Sequence, residues 1–381
     1  MTHTVKLFKE PLKIRDNLSE DGAEMSELQL SMLCGLIKEY RPQKIVEVGV
    51  AAGGTTAVIL NCLSLIELDT WVYSVDLSER YYRDTSKKTG YLAEEYKKLT
   101  NKKVNHRQYG RGYLPQYIDD IGKNIDFLII DTLHILPGEV LDFLVSLPYL
   151  KDGAIVILHD IFMNHHNHQL ESYATRLLLS VVVGEKIVGR GADNKYNYIE
   201  LGAFRITKDT RKYIENVFSA LLITWQYIPD KLQMNIYKGF LSRYYDDRLM
   251  EEFEIAEKLN EKTVYQKKID NKICMIKVHN LIKSLENKKN IFVYGCGTVG
   301  EKLYNLLEAF GIELSGFVIS DDQIKPHKGR RIEYISDLVN DNCTFVLGMS
   351  TENQKQVYRE SMKDNWIQID HDVLHFLSSS L

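Results

Sequence analysis

The sequence predicts an α/β protein: a mostly parallel sheet with crossover helices, then a helical segment, then a second, smaller α/β unit. Three observations carry this expectation. Short apolar runs alternate with helical stretches between residues 44 and 206, the pattern of buried parallel strands joined by helices. A glycine-rich strand-to-helix turn occurs twice, at 49–54 and at 295–300. Between the halves, from Lys208 to about Lys289, Tyr, Lys and Glu recur at helical spacing with no such turn.

The elements follow in order. Residues 26–38 carry apolar side chains at helical spacing, with Ser26 placed as N-cap and Arg41-Pro42 as the stop. KIVEVGV (44–50) reads as a buried strand and a helix begins near Thr55. WVYSVDL (71–77), VNHRQY (104–109), IDFLIID (125–131) and AIVILHD (154–160) read as four more strands, with the helical stretch GEVLDFLVSLPYL after the fourth. EKIVG (185–189) and IELGAFRI (199–206) suit an edge hairpin around a polar loop. The strand–turn–helix pattern returns at Asn290 with IFVYGCGTVGEKLYNLLEAFGIELSGFVIS, then CTFVLGMS (343–350) and WIQID (366–370). The expected division is therefore 1–207, a helical linker over 208–289, and 290–381.

Composition narrows the function classes. A length of 381 residues favours two or three domains. A formal net charge of −4 gives no general footprint for nucleic acid. Tyrosine is frequent, at 23 against 7 prolines, which suits either ring stacking on a ligand or simple packing. The five cysteines, Cys34, Cys62, Cys274, Cys296 and Cys343, form no CxxC pair, which argues for a reducing compartment and against a zinc knuckle. The first residues, MTHTVKLFKEPLKIRD, lack a signal-peptide core, and no apolar run reaches membrane-spanning length. The expectation is a cytoplasmic protein without a membrane span.

The first turn reads Glu47-Val-Gly49-Val-Ala-Ala-Gly53-Gly54-Thr55. Glycines there allow positive φ and close approach of a ligand, and the helix start offers free N–H groups. The dinucleotide spacing GxGxxG is absent. Asp76, at the end of the second strand, suits a carboxylate that binds ribose hydroxyls. Asp131 ends the fourth strand, with His134 one helical turn further on, and His159 and Asp160 end the fifth, so they should meet at the ligand edge of the sheet. Carboxylate and imidazole groups there can hold a divalent cation, and His134 has the chemistry of a general base. His165, His166 and His168 follow on a polar loop, read as a substrate cover.

These motifs resemble class I S-adenosylmethionine-dependent methyltransferases, whose turn follows an ExGxxxGG pattern. Residues 125–161 are similar to the metal-dependent sugar O-methyltransferases of macrolide-sugar and cephamycin type. The resemblance spans roughly 24–206 and is strongest overall to bacterial capsule-cluster enzymes acting on heptose-type sugars. It implies a Rossmann-like, mostly parallel seven-stranded sheet. It implies that Glu47, Gly49, Gly53, Gly54, Thr55 and Asp76 bind the cofactor, with Gln108, Tyr109 and Gly110 lining the adenine pocket. Asp131, His159 and Asp160 would hold Mg²⁺, Mn²⁺ or Fe²⁺, and Asp131 also borders the cofactor. His134 would be the base. His159 departs from the acidic residue usual there, which weakens a Mg²⁺ site and leaves open a metal-free enzyme with His159 as base. The implied substrate is a sugar or nucleotide sugar. A homo-oligomer, a dimer, is also expected, and the apolar, aromatic stretch around Trp225–Tyr245 suits either its interface or intramolecular packing.

The second turn, Gly295-Cys-Gly297-Thr-Val-Gly300, has the dinucleotide spacing, with Asp321 near the ribose position. It resembles small Rossmann-like units appended to sugar-modifying enzymes, which hold a nucleotide or serve assembly. An NAD-dependent oxidoreductase centred on this turn and a non-catalytic binding protein are the alternatives. The first is disfavoured because the dense acid/base set lies in the other half.

Overall fold

A computed structural model describes residues 5–20, 23–100, 104–166, 169–190, 198–320, 330–338, 342–349, 354, 366–370 and 373–374. The chain divides into two compact units, Met1–Val264 and Tyr265–Leu381.

In the first unit α1 (Glu27–Tyr40) starts on a reciprocal cap. Ser26 Oγ accepts the Gln29 N–H, and Gln29 Oε1 accepts the Ser26 N–H at 2.6 Å. The helix ends on Arg41 in a left-handed conformation, before Pro42. There follow β1 (Lys44–Val48), α2 (Gly54–Leu65), β2 (Trp71–Val75), α3 (Tyr91–Thr100), β3 (Asn105–Tyr109) and α4 (Leu114–Ile121). Then come β4 (Ile125–Ile130), α5 (Gly138–Ser146), β5 (Leu150–His159), α6 (Ala174–Val181), β6 (Glu185–Arg190) and β7 (Tyr198–Arg205). The sheet has the order β3-β2-β1-β4-β5-β7-β6. β7 inserts antiparallel between β5 and β6, and the other six strands run in one direction. This is the mostly parallel, seven-stranded Rossmann-like arrangement of the methyltransferase fold that the sequence led one to expect.

Strand side chains alternate between two cores. Val46, Leu128, Ile130, Val156 and Leu158 face one layer, while Ile45, Phe127, Ile129, Ile155 and Ile157 face α1 and α2 on the other. The first layer is completed by α7 (Lys208–Lys212), α8 (Glu215–Ala220), α9 (Lys231–Leu241) and the start of α10 (Asp247–Leu285). Phe218, Trp225, Tyr237, Phe240, Leu241 and Phe253 are buried there with the side chains of α5. The sequence division treated this segment as a separate linker. Its apolar positions instead fill the first unit, because the face of α4, α5 and α6 away from the sheet needs a cover. The aromatic stretch Trp225–Tyr245, read as either an interface or packing, packs inside this unit.

The second unit continues through β8 (Ile291–Tyr294), α11 (Thr298–Ala309), β9 (Leu314–Ile319), β10 (Ile332–Tyr334), α12 (Ile335–Leu338), β11 (Thr344–Leu347) and β12 (Trp366–Ile367). Its sheet, β10-β9-β8-β11-β12, is parallel throughout. Among the described residues, no helix is long and apolar enough to cross a membrane.

Candidate active site

The sheet reverses its direction of winding between β1 and β4, and at the carboxyl ends of such strands a crevice opens. A cleft of about 600 Å³ lies there, within the size range of small-molecule sites. It runs from the turn after β1 (Gly49, Val50, Ala51, Thr55) past Asp76 and Ser78 to Asp131, His134, His159 and Asp160.

The turn is built for closeness. Gly49 has φ +91°, and a Cβ there would lie 1.8 Å from the Asp131 carbonyl oxygen. Gly53, at φ +86°, meets Gly90, where a Cβ would fall 2.7 Å from its Cα. Asp76 braces this turn, its Oδ2 accepting the N–H groups of Val50 (2.9 Å) and Ala51 (3.2 Å) and its Oδ1 that of Ser78 (2.7 Å). Glu47 lies behind the turn, 1% exposed. Its carboxylate accepts the hydroxyls of Thr56 (2.6 Å) and Ser74 (2.8 Å), yet burial outweighs those bonds and pushes its pKa up to about 7.

Of the residues expected at the cofactor, Gly49, Thr55, Asp76 and Asp131 therefore line the cleft. Glu47, Gly53 and Gly54 support it from behind, outside the lining. The Tyr109 ring is buried in the core and its hydroxyl donates to Asp120. Gln108 and Gly110 border a neighbouring depression with Lys88 and Arg111. The amide of Gln108 holds the Thr89 carbonyl at 2.8 Å, so this trio is not brought to the cleft.

The reaction-centre candidates do converge. His159 Nδ1 lies 2.8 Å from Asp131 Oδ1, and His159 Nε2 lies 3.2 Å from Asp160 Oδ1. His134 Nε2 lies 3.6 Å from Asp131 and 3.5 Å from Asp160. Burial opposes charge on the His159 ring, but Asp131, then Asp160 and Glu200, hold its pKa up at about 9. Burial likewise pushes the Asp131 carboxyl up, and the two imidazoles more than reverse this, leaving it below the usual range. Asp160 is raised by burial, against the two histidines. His134 (φ 61°) and Asp160 (φ 54°) both adopt left-handed backbone, a cost of roughly 1–2 kcal/mol each that packing must offset. α6 contributes to that packing: its Ala174 N–H donates to the His134 carbonyl and its Thr175 hydroxyl to that of Asp160.

One supporting group escaped sequence reasoning. Glu139 is fully buried, and its Oε1 accepts the Thr132 hydroxyl (2.8 Å) and the His134 backbone N–H. It fixes the loop that presents His134. The available signal was a pair of acids, Glu139 and Asp142, inside an otherwise apolar helix.

Asp131, His134 and His159 each offer a ligand atom, all within 4.8 Å of one another, the one group of this kind among the described residues. His159 Nε2 is buried without a hydrogen-bond partner, which leaves its lone pair for an ion or its N–H for a substrate atom; His134 Nδ1, also without one, lies 3.7 Å from Glu139 on the other ring edge. The residues fit a divalent cation, and Asp160, the third expected ligand, stands 3.2 Å from His159 Nε2. His165 and His166 belong to the following turn, where His166 pairs with Glu200 at 2.8 Å; His168 lies outside the described residues.

In the second unit, Gly295 has φ +97° and a Cβ on Gly300 would lie 1.9 Å from the Gly295 carbonyl. Both glycines thus serve the contact of turn and helix. Gly297 precedes α11 with nothing within 4 Å of a Cβ, and Asp321 lies outside the described residues.

Residues 46–161, fewer than half of the chain, match the family described as "Methyltransferase domain". No curated protein matches the chain. Solved structures that it resembles include the O-methyltransferase TomG from Streptomyces achromogenes, involved in tomaymycin synthesis and bound to S-adenosylmethionine. That likeness has 16% identity and a TM-score of 0.38, over 53% of this chain and 92% of that one. An O-methyltransferase from Bacillus cereus in complex with S-adenosylhomocysteine is similar at 16% identity and a TM-score of 0.35, over 51% of this chain and 89% of that one.

Proposed function

We propose that the chain is a class I S-adenosylmethionine-dependent O-methyltransferase that methylates a sugar hydroxyl, with a nucleotide-linked, heptose-type sugar of surface polysaccharide as acceptor. The observation that carries this is the single cleft joining the glycine turn after β1 to the Asp131–His134–His159–Asp160 cluster. The match of 46–161 to a methyltransferase domain supports it.

In this reading Gly49–Ala51 and Asp76 are the residues that would hold the cofactor, which would supply the methyl group. The acceptor oxygen attacks the methyl carbon in line, the C–O bond forms as the S–CH₃ bond breaks, and the electron pair stays on sulfur as S-adenosylhomocysteine. His134 takes the hydroxyl proton at Nε2, on the ring edge that faces Asp131 and Asp160. Asp131 and His159, with Asp160 beside them, are the residues that would hold a divalent cation, which leaves His134 Nε2 to take the proton. Such a cation lowers the pKa of a coordinated hydroxyl, and with imidazole donors Mn²⁺ or Fe²⁺ suits the site better than Mg²⁺.

The test is transfer of labelled methyl to UDP-glucose, GDP-mannose and free sugars, with and without EDTA. Transfer to a sugar that EDTA abolishes is the expected result. Failure to bind S-adenosylhomocysteine would overturn the cofactor assignment, and binding without transfer to any sugar would overturn the acceptor class.

A further inference from the structure

The far wall of the cleft is made by residues to which neither the turn nor the His–Asp cluster assigns a role. Tyr113, Asp142, Tyr227, Gln233 and Tyr237 all line it. Asp142 is 6% exposed. Its Oδ1 accepts the Tyr237 hydroxyl at 2.7 Å, while Oδ2 takes no hydrogen bond from any described residue. A nearly buried carboxylate oxygen that borders a cleft and lacks a donor is an acceptor waiting for a ligand. Asp142 also lies three residues after Glu139, so one face of α5 carries both the brace of His134 and this wall. The Tyr113 and Tyr237 rings stand 6.0 Å apart at 59°, giving aromatic surface next to the acid.

We propose that Asp142, held by Tyr237 and flanked by Tyr113, Tyr227 and Gln233, is an acceptor-recognition subsite for a saturated ring bearing at least two hydroxyls. One hydroxyl meets His134 and another donates to Asp142 Oδ2. This rests on the methyltransferase reading and adds the residues that select the acceptor. The phenol rings suit the C–H face of such a ring, and a ligand without the second hydroxyl leaves Asp142 unpaired, which such sites reject strongly. Burial pushes Asp142 up to about 7, which favours a neutral hydroxyl over a cation as its partner.

The experiment is calorimetry on the full chain saturated with S-adenosylhomocysteine, titrated with UDP-glucose, GDP-mannose, methyl α-glucopyranoside and catechol. At least one pyranose probe should bind. The isosteric Asp142→Asn and the truncating Asp142→Ala should each weaken it about tenfold or more, and Tyr237→Phe severalfold. S-adenosylhomocysteine affinity should stay within about twofold, which reports that the fold and the cofactor end are intact. Unchanged pyranose affinity in both Asp142 variants overturns the subsite. So does catechol binding alone, or the absence of any pyranose binding. Loss of S-adenosylhomocysteine binding by the unmodified protein would instead overturn the underlying methyltransferase reading.

Discussion

Asp131 and His159 stand at the carboxyl ends of neighbouring parallel strands, with Oδ1 and Nδ1 2.8 Å apart at the edge where the cleft opens. Asp131 also backs Gly49, so one residue touches both the cofactor turn and the histidine cluster. Asp131→Asn should lower methyl transfer by about 10²-fold or more, the range for loss of a charged group at a reaction centre. Its affinity for S-adenosylhomocysteine should fall far less. Steady-state kinetics beside calorimetry check this, and equal losses in both would mean that Asp131 serves the turn alone.

Cation dependence follows from the donor set. Protein stripped with EDTA should lose most of its transfer activity and regain it with Mn²⁺ more fully than with Mg²⁺. His159→Ala should abolish the rescue. Full activity in EDTA would leave a cation-free reaction with His134 as base.

Glu47 links stability to pH. Its pKa of about 7 in the folded chain lies above the ordinary 4.5, so the folded state binds the proton more tightly than the unfolded one. Its contribution is fully present below the ordinary value and is lost as pH rises through about 7. Melting temperature should therefore fall between pH 5 and pH 8. Glu47→Gln, whose amide oxygen can still accept from Thr56 and Ser74, should flatten that slope, by at most about 3 kcal/mol. Thermal melts at several pH values read the difference.

The tight approach at Gly49 makes Gly49→Ala a severe change. Its Cβ would clash with the Asp131 carbonyl oxygen at 1.8 Å and sit at φ +91°. The expected cost is roughly 2 kcal/mol or more in stability, together with loss of S-adenosylhomocysteine binding. Gly297→Ala, with open space around its Cβ, should leave the melting temperature nearly unchanged.

Helices beyond residue 207 complete the first core. A chain ending at 207 lacks Phe218, Trp225, Tyr237, Phe240 and Phe253 and uncovers the outer face of α5, so it should aggregate. A chain ending at 264 should melt cooperatively. Circular dichroism and light scattering on the two truncations distinguish them.

Much of the site was legible because strand-end chemistry is local. A run such as ILHD marks both a strand and its carboxyl edge, and parallel pairing of β4 with β5 then brings Asp131 to His159 without further information. Asp142 and Glu139 were hidden, since an acid within a helix of apolar residues reads as a surface position until the helix is seen to be covered on both sides. Gln108 and Tyr109 failed for the converse reason. Adjacent residues on a strand point to opposite faces, so Tyr109 turned into the core while Gln108 turned to hold Thr89.

Hydrophobic period, glycine placement and strand-end acids were enough to set the α/β class, the order of elements and the edge where ligands bind, because each depends on residues a few positions apart. The second cover of the sheet by residues 208–256, the bracing of the turn by Asp76 and the wall of Asp142 and Tyr237 were decided only in three dimensions. They depend on which surfaces remain uncovered after the strands have paired, and on a helix nearly a hundred residues away closing the cleft from the other side.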